Sequence, residues 1–345
     1  MSKLNSYQKW GDVVKGIGIL AVVIGHYGGL AIDYYIYWFH MPLFFIMSGY
    51  FFKPIEQRDQ FPMLLKKNTY RLLVPYFSFL VSITIIRYGF RILEGRMNAS
   101  WLSQDIVRLL LGGRFIGGWY APIWFITTLF LTYIAFNFIL LLFKKDTTRI
   151  LLIGILYLLA HLESWLNLSY TIIVPLNLDV TLLSLSYFAF GYYAKKTLSS
   201  VPKPFFLTCS LITVVVYTGI FLGYYNYTFG MKGLNYHNIL LDFVVPTAIS
   251  VTIIGLSQIV SKYRVTNILA YLGKNSLAIM FIHMLPNVFL HPILGYGVIT
   301  YTIIGITVPL LITHFMLDRF QLTKTLFLGK GSPAPSLVDT TIYDI

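Results

Sequence analysis

Four side chains near the N-terminus have the types and spacing for proton and acyl chemistry. Residues 12–26 read DVVKGIGILAVVIGH and residues 39–52 read FHMPLFFIMSGYFF, so two apolar segments each carry a histidine. On an α-helix Lys15 and His26 point within about 20° of each other, roughly 16 Å apart along the axis, with Asp12 on the same stripe. Such a stripe on an apolar segment is costly in hydrocarbon and faces a polar cavity or a partner helix. A neutral imidazole there can take a proton from a hydroxyl, or attack an acyl group itself. His40, on the next segment and running the other way, falls at nearly the same depth, so two imidazoles can flank one cavity. Asp12 lies about 21 Å from His26 along the helix, too far to orient that ring. A salt bridge at the rim is its expected role.

The elements that must position these residues are membrane helices. The chain has 345 residues, 57% of them apolar, 17% aromatic and only 11% charged, with a mean hydropathy of +0.72. Soluble domains carry about 25% charged residues, so the composition is that of a polytopic membrane protein. The single cysteine, Cys209, excludes an intramolecular disulfide and cysteine-based metal clusters, and it reads as a small core residue. No histidine and carboxylate set has the i, i+4 spacing of a helical zinc site, so no metal is expected. The net charge of +13 suggests nucleic acid only until its distribution is read. Lys53, Arg58, Lys66, Lys67 and Arg71 fall in one loop. Lys144, Lys145 and Arg149, then Lys195, Lys196 and Lys203, then Lys262, Arg264 and Lys274 fall in later ones, and Arg319, Lys324 and Lys330 in the tail. With about 20 apolar residues per crossing, spans are expected near 13–32, 34–52, 72–92, 120–143, 149–166, 178–195, 205–224, 239–260, 275–291 and 295–317. Those basic loops then share one side, which the positive-inside rule makes cytoplasmic.

The fold class expected is therefore all-α: a polytopic transmembrane helical bundle of about ten spans, both termini cytoplasmic, with no nucleic-acid partner. Residues 1–328 form one membrane domain, and residues 329–345 a short cytoplasmic tail expected to be disordered. The outer stretch ASWLSQDIVRLLLGG alternates faces at helical spacing and reads as a helix along the interface. Pro175 and Asp179 give the sixth span a late or irregular start. His161 and Glu163 read as interfacial.

The stretch from Asp12 to His26, a basic residue and ten intervening residues before histidine, resembles the signature of the membrane-bound acyltransferase-3 family. FHMPLFFIMSGYFF, KNTYRLLVPYF, IWFITTLF, FGYYAKK and LGKNSLAIMFIH are similar to that family in its order, from residue 12 to about 290. The resemblance implies an integral-membrane O-acyltransferase, moving acetyl or a similar acyl group from acetyl-CoA to a hydroxyl of a surface or lipid-linked polysaccharide. Its partners would be acyl-CoA, a carbohydrate or glycolipid acceptor and the bilayer, its expected location a bacterial inner membrane. It places the catalytic role on His26, with His40 catalysing or shaping the site. Lys15 stands where arginine is common in the family.

Lys67 and Arg71, four apart on one helical face, have a spacing suited to the phosphates of CoA, and Lys15 either joins them or pairs with Asp12. The family's carbohydrate-modifying members often carry two arginines three residues apart, where this chain has Asn68 and Arg71, so Asn68→Arg is expected to be tolerated. Ser48, Trp124 or Asn275 could donate to a tetrahedral oxyanion, and His283 is as readily structural as part of the site. The rival class is a secondary transporter or flippase with a histidine proton relay, for which inverted repeats would speak. None is found.

Overall fold

The computed structural model describes residues 3–29, 31–166, 168 and 172–331, with side chains from Lys9 onward and not at 31–33. The tail expected to be disordered lies, from residue 332 on, outside the described residues. In chain order the helices are α1 (Lys3–Gly25), α2 (Ala31–Tyr37), α3 (His40–Phe51), α4 (Phe61–Asn68), α5 (Val74–Leu93), α6 (Ala99–Leu111), α7 (Trp124–Leu142), α8 (Asp146–Trp165) and α9 (Val180–Tyr193). They continue as α10 (Lys195–Ser199), α11 (Lys203–Phe221), α12 (Leu241–Val260), α13 (Asn267–Lys274), α14 (Ser276–Ile282), α15 (Met284–Leu294), α16 (Val298–Ile312) and α17 (Gln321–Leu328). Two π-helical turns, Thr69–Leu73 and Thr313–Leu317, join α4 to α5 and follow α16. No strand occurs among the described residues, whose one ladder contact is the isolated bridge Gly230–Asn235.

Among the described residues six stretches are long and apolar enough to cross a membrane, 58–93, 118–142, 146–165, 203–221, 241–260 and 298–317, and the bent pair 264–274 and 276–282 makes a seventh if it is one span. Their outer faces are apolar. Leu207, Leu211, Val214 and Val215 on α11 are exposed at i, i+4, i+7 and i+8, as are Leu151, Ile155, Leu158 and Leu162 along α8 and Phe77, Val81 and Ile85 along α5. Stripes of this kind suit lipid, since soluble monomers rarely expose large contiguous apolar patches. The chain is an integral-membrane protein.

Four expected spans take other forms. The first ends at Gly25, not near 32, because Gly28 and Gly29 adopt φ of 78° and 83° and turn the chain away. The second is broken into α2 and α3. The sixth starts late, as Pro175 and Asp179 suggested: Leu176 and Asn177 both have positive φ, and α9 begins at Val180 with Asp179 accepting from its amide. The ninth, expected over 275–291, is divided at His283 into α14 and α15, and α13 precedes it across a bend at Asn275.

Two compact units are distinguished, within the described residues. The first takes in Met1–Pro54, Phe138–Ile173 and Asp179–Ser276, the second Ile55–Asn137, Val174–Leu178 and Leu277–Ile345. In the first, α1 packs on α13, α12 and α3, α3 on α9, α8 on α9 and α11 on α12. Helices α3 and α9 are apolar all round and buried on nearly every side, the pattern of a helix enclosed by others. Glycines set both main crossings. A Cβ at Gly16 would meet the Leu269 carbonyl oxygen at 2.0 Å, and one at Gly273 the Asp12 carbonyl oxygen at 1.9 Å. A Cβ at Gly49 would likewise sit 1.9 Å from the Phe188 carbonyl oxygen, and one at Gly191 2.0 Å from that of Ile46. The backbones of α1 and α13, and of α3 and α9, thus touch through reciprocal glycines, the close approach that small residues allow in membranes.

In the second unit α5 packs on α17 and α15 on α16, with Phe79 stacked on Phe281 at 4.4 Å. Helix α6 forms as expected, capped by Asn98, whose side chain accepts from the Trp101 amide at 2.9 Å. It is tied to α5 by the Arg87–Asp105 ion pair, and by Tyr88, which donates to Asp105 at 2.9 Å.

Candidate active site

Helix α1 ends in a way that accounts for His26. The last four carbonyls of any helix have no amide of the next turn to accept from. Here each has its own donor. Val22 O accepts from His26 Nδ1 at 2.7 Å, Val23 O from the His26 amide at 3.3 Å, Ile24 O from the Tyr27 amide at 3.0 Å, and Gly25 O from the Tyr37 hydroxyl at 3.0 Å. An imidazole that donates through Nδ1 and is neutral carries its lone pair on Nε2. His26 is half-buried just past the helix end, not within the helix as its spacing suggested.

His40 repeats the device. It opens α3, is buried, and its Nδ1 lies 2.8 Å from the Ile36 carbonyl oxygen. The Tyr37 ring packs edge-on against both imidazoles, with centroids 6.4 Å from His26 and 5.1 Å from His40. The two histidines therefore do gather in one place, around a tyrosine that periodicity alone did not single out. The available signal was its position, three residues before His40 on the segment that faces the end of α1.

Lys15 is buried and pairs with Asp12 at 2.9 Å, one turn away. Ser48 is half-buried on α3. Asn275 stands at the break between α13 and α14, its Nδ2 donating to Tyr271 O at 2.9 Å. Those residues belong to the first unit; Lys67, Arg71, Trp124 and His283 belong to the second. Lys67 is exposed and Arg71 half-buried, but Lys67 lies near the end of α4 and Arg71 within the π-helical turn Thr69–Leu73, so they do not share the regular i, i+4 face. Widened turns of this kind occur frequently at functional sites. Asn68, compared above with a family arginine, is buried at 3% exposure. Trp124 is buried at the start of α7, its carbonyl accepting from Thr127 and Thr128 at 2.9 and 3.2 Å. His283 is fully buried, with Nδ1 3.0 Å from Ile279 O.

A profile of the acyltransferase-3 family, described as an acyltransferase domain, matches residues 8–316. The chain belongs to the acyltransferase-3 family. The match spans the α1 exit, both histidines and every motif that carried the resemblance. Membership makes the protein a membrane acyltransferase, with an acyl donor and an acceptor as its substrates. No curated protein and no solved structure matches the chain significantly.

One polar cluster was missed by sequence reading. His161, expected at the interface, is fully buried, with Nδ1 at 2.9 Å from Tyr157 O and Nε2 at 3.2 Å from Asp242 Oδ2. The Asn238 amide donates to the same carboxylate oxygen at 2.8 Å, and Tyr187 donates to the Asp242 carbonyl. Enclosed on all sides, the pair ties α8 to the start of α12. Eighty-one positions separate the two residues, and no local pattern joins them. No group of three or more His, Cys, Asp or Glu side chains suited to a metal occurs among the described residues.

Proposed function

We propose that this acyltransferase moves an acetyl group from acetyl-CoA to a hydroxyl of a surface or lipid-linked polysaccharide, with residues 1–328 as one catalytic domain in a bacterial inner membrane. The observation that carries the reading is the exit of α1. With Nδ1 committed to the Val22 carbonyl, Nε2 of His26 is the basic nitrogen and its ring has a fixed direction. As the acceptor oxygen attacks the thioester carbonyl, Nε2 takes the hydroxyl proton. The tetrahedral intermediate collapses to the ester, and the departing CoA thiolate recovers that proton from the imidazolium. In the two-step variant Nε2 attacks first and CoA leaves as thiolate, giving an acyl-imidazolium; the acceptor oxygen then takes the acyl group, the C–N bond breaks to return neutral imidazole, and the hydroxyl proton goes to the thiolate or to water.

Lys67 and Arg71 hold the donor phosphates as charge-assisted partners. Lys15, already paired with Asp12, serves the donor through that rim pair. His40 supports His26 across the Tyr37 ring. The oxyanion donor is Ser48, Trp124 or Asn275; Asn275 would first have to release Tyr271 O. His283 is a supporting residue in the same reading.

The test is thiol release and label transfer from radiolabelled acetyl-CoA, with purified protein and bacterial glycan. Wild type should release CoA and label glycan. His26→Ala and His26→Gln should both lose transfer by about 10²-fold or more, because glutamine can hydrogen bond but cannot take the proton. Full turnover in either variant rejects His26 as the base. Absence of CoA release from wild type would favour the transporter class.

A further inference from the structure

We propose that Tyr37 is a positioning residue for His26, a role that rests on the reading of His26 as the reacting base. Three of the four terminal carbonyls of α1 are satisfied locally, by the His26 ring, the His26 amide and the Tyr27 amide. The fourth belongs to Gly25, the residue immediately before His26, and it accepts from a side chain twelve positions away. One tyrosine thus does two things. Its hydroxyl closes the helix end next to the histidine, and its ring packs edge-on against the His26 and His40 imidazoles.

Helix α2 is held so that Tyr37 can do this. On its α1 side a Cβ at Gly25 would meet Ile36 Cγ2 at 3.2 Å, so glycine lets the two segments come close. Away from α1, Tyr34 donates to the Tyr227 carbonyl, and Tyr217 donates to the Tyr35 carbonyl at 3.3 Å. Trp38, which has no solvent exposure, stacks on Tyr217 at 5.2 Å and meets Tyr227 edge-on at 5.1 Å. Tyr34 and Trp38 thus anchor the segment, and Tyr37 is 37% exposed, at the same open end where His26 is half-buried. Errors of about 1 Å in the placement of a reacting group cost about a hundredfold in rate, and the Gly25 contact restrains the backbone at the base of that group.

The test uses the full chain in detergent, with Tyr37→Phe, Tyr37→Ala and His26→Ala. Tyr37→Phe keeps the ring and removes the clamp, and it should lower kcat about tenfold with KM for donor and acceptor unchanged. Tyr37→Ala, which also removes the ring, should lower it further. Independently of turnover, carbethoxylation of His26 by diethyl pyrocarbonate, followed by mass spectrometry, should change severalfold in Tyr37→Phe, while the enclosed His161 and His283 react as in wild type. Wild-type kcat together with an unchanged His26 rate overturns the proposal. So does a loss carried wholly by KM, which would make Tyr37 a substrate contact, or a fall in kcat with His26 reactivity unaltered. If His26→Ala keeps full turnover, the base assignment is what fails, and the modification rate still reports on the clamp.

Discussion

At the scale of single residues, four histidines commit the same ring nitrogen. His26, His40, His161 and His283 all place Nδ1 within 3.0 Å of a carbonyl four residues back. What separates them is the surroundings. His161 meets Asp242 through Nε2 and is fully buried, His283 and His40 are buried, and His26 alone of the four is half-open. A base must reach a substrate, so exposure as well as geometry favours His26. Loss of its ring would leave Val22 O without its donor, an effect of about 1 kcal/mol where water can enter. His26→Ala should therefore stay folded while losing transfer, with thermal midpoint and turnover measured on the same sample. The candidate base was legible in the sequence, because a histidine closing an apolar segment is rare. Its partners were less so: the Val22 contact follows from helix geometry, but Tyr37 depends on how the chain returns after Gly28 and Gly29.

At the scale of elements, reciprocal glycines make a sharp prediction. Gly16→Ala or Gly273→Ala would press a methyl into a backbone carbonyl of the facing helix, at 2.0 and 1.9 Å before any shift. Backbone cannot swing aside as a side chain does, so each should destabilise by about 1–3 kcal/mol. Gly154→Ala, on α8 with nothing within 4 Å, should instead be neutral or slightly stabilising. Thermal unfolding of the three variants in one detergent checks this. A second prediction concerns the segment 222–240, pinned to α8 by Ser164, which donates to Leu234 O at 2.6 Å, and by Trp165, which donates to His237 O at 2.8 Å. It carries half-buried Lys232, whose burial lowers the ammonium pKa from 10.5 to about 8. Between those values the unfolded chain holds more protons than the folded one, so stability rises with pH from about 8 towards 10.5. Below pH 8 the full cost of burying the charge is present. Lys232→Met should raise the thermal midpoint at pH 7 and flatten its rise between pH 8 and 10; parallel curves for the two proteins would refute this. Helix existence was largely readable from apolar runs of span length. The breaks at Trp38, Asn275 and His283 were not placed, although Pro42 and Pro286, which lack the amides that would bond to the carbonyls of Trp38 and Ile282, and Gly273 stand beside them.

At the scale of the whole molecule, six stretches among the described residues are long and apolar enough to cross a membrane, and from the lopsided loop charge we propose ten crossings with both termini cytoplasmic. Reporter fusions after Lys145, Lys203 and Lys330 should read cytoplasmic and a fusion near Ser100 extracytoplasmic; the opposite reading at Ser100 would invert the donor side. That side matters because the donor is held, in our proposal, by cytoplasmic cations. Lys67 precedes the π-helical turn Thr69–Leu73 and is exposed, and Arg71 lies within that turn and is half-buried. Each charge-assisted bond to phosphate contributes about 1.5–3 kcal/mol. Replacing either by alanine should weaken CoA binding by about ten- to a hundredfold, read by calorimetry, without changing acceptor binding. Asn68 serves as the contrast. The family comparison suggested that arginine would fit there, but the side chain is 3% exposed and its amide nitrogen is buried. A guanidinium buried at that position would lose its hydration at a cost of several kcal/mol, so Asn68→Arg should lower the thermal midpoint and leave CoA affinity no better than wild type. Tighter binding in that variant would show that position 68 turns toward the donor and that Lys67 is the bystander. Equal affinities in wild type, Lys67→Ala and Arg71→Ala would reduce the loop to a topology signal.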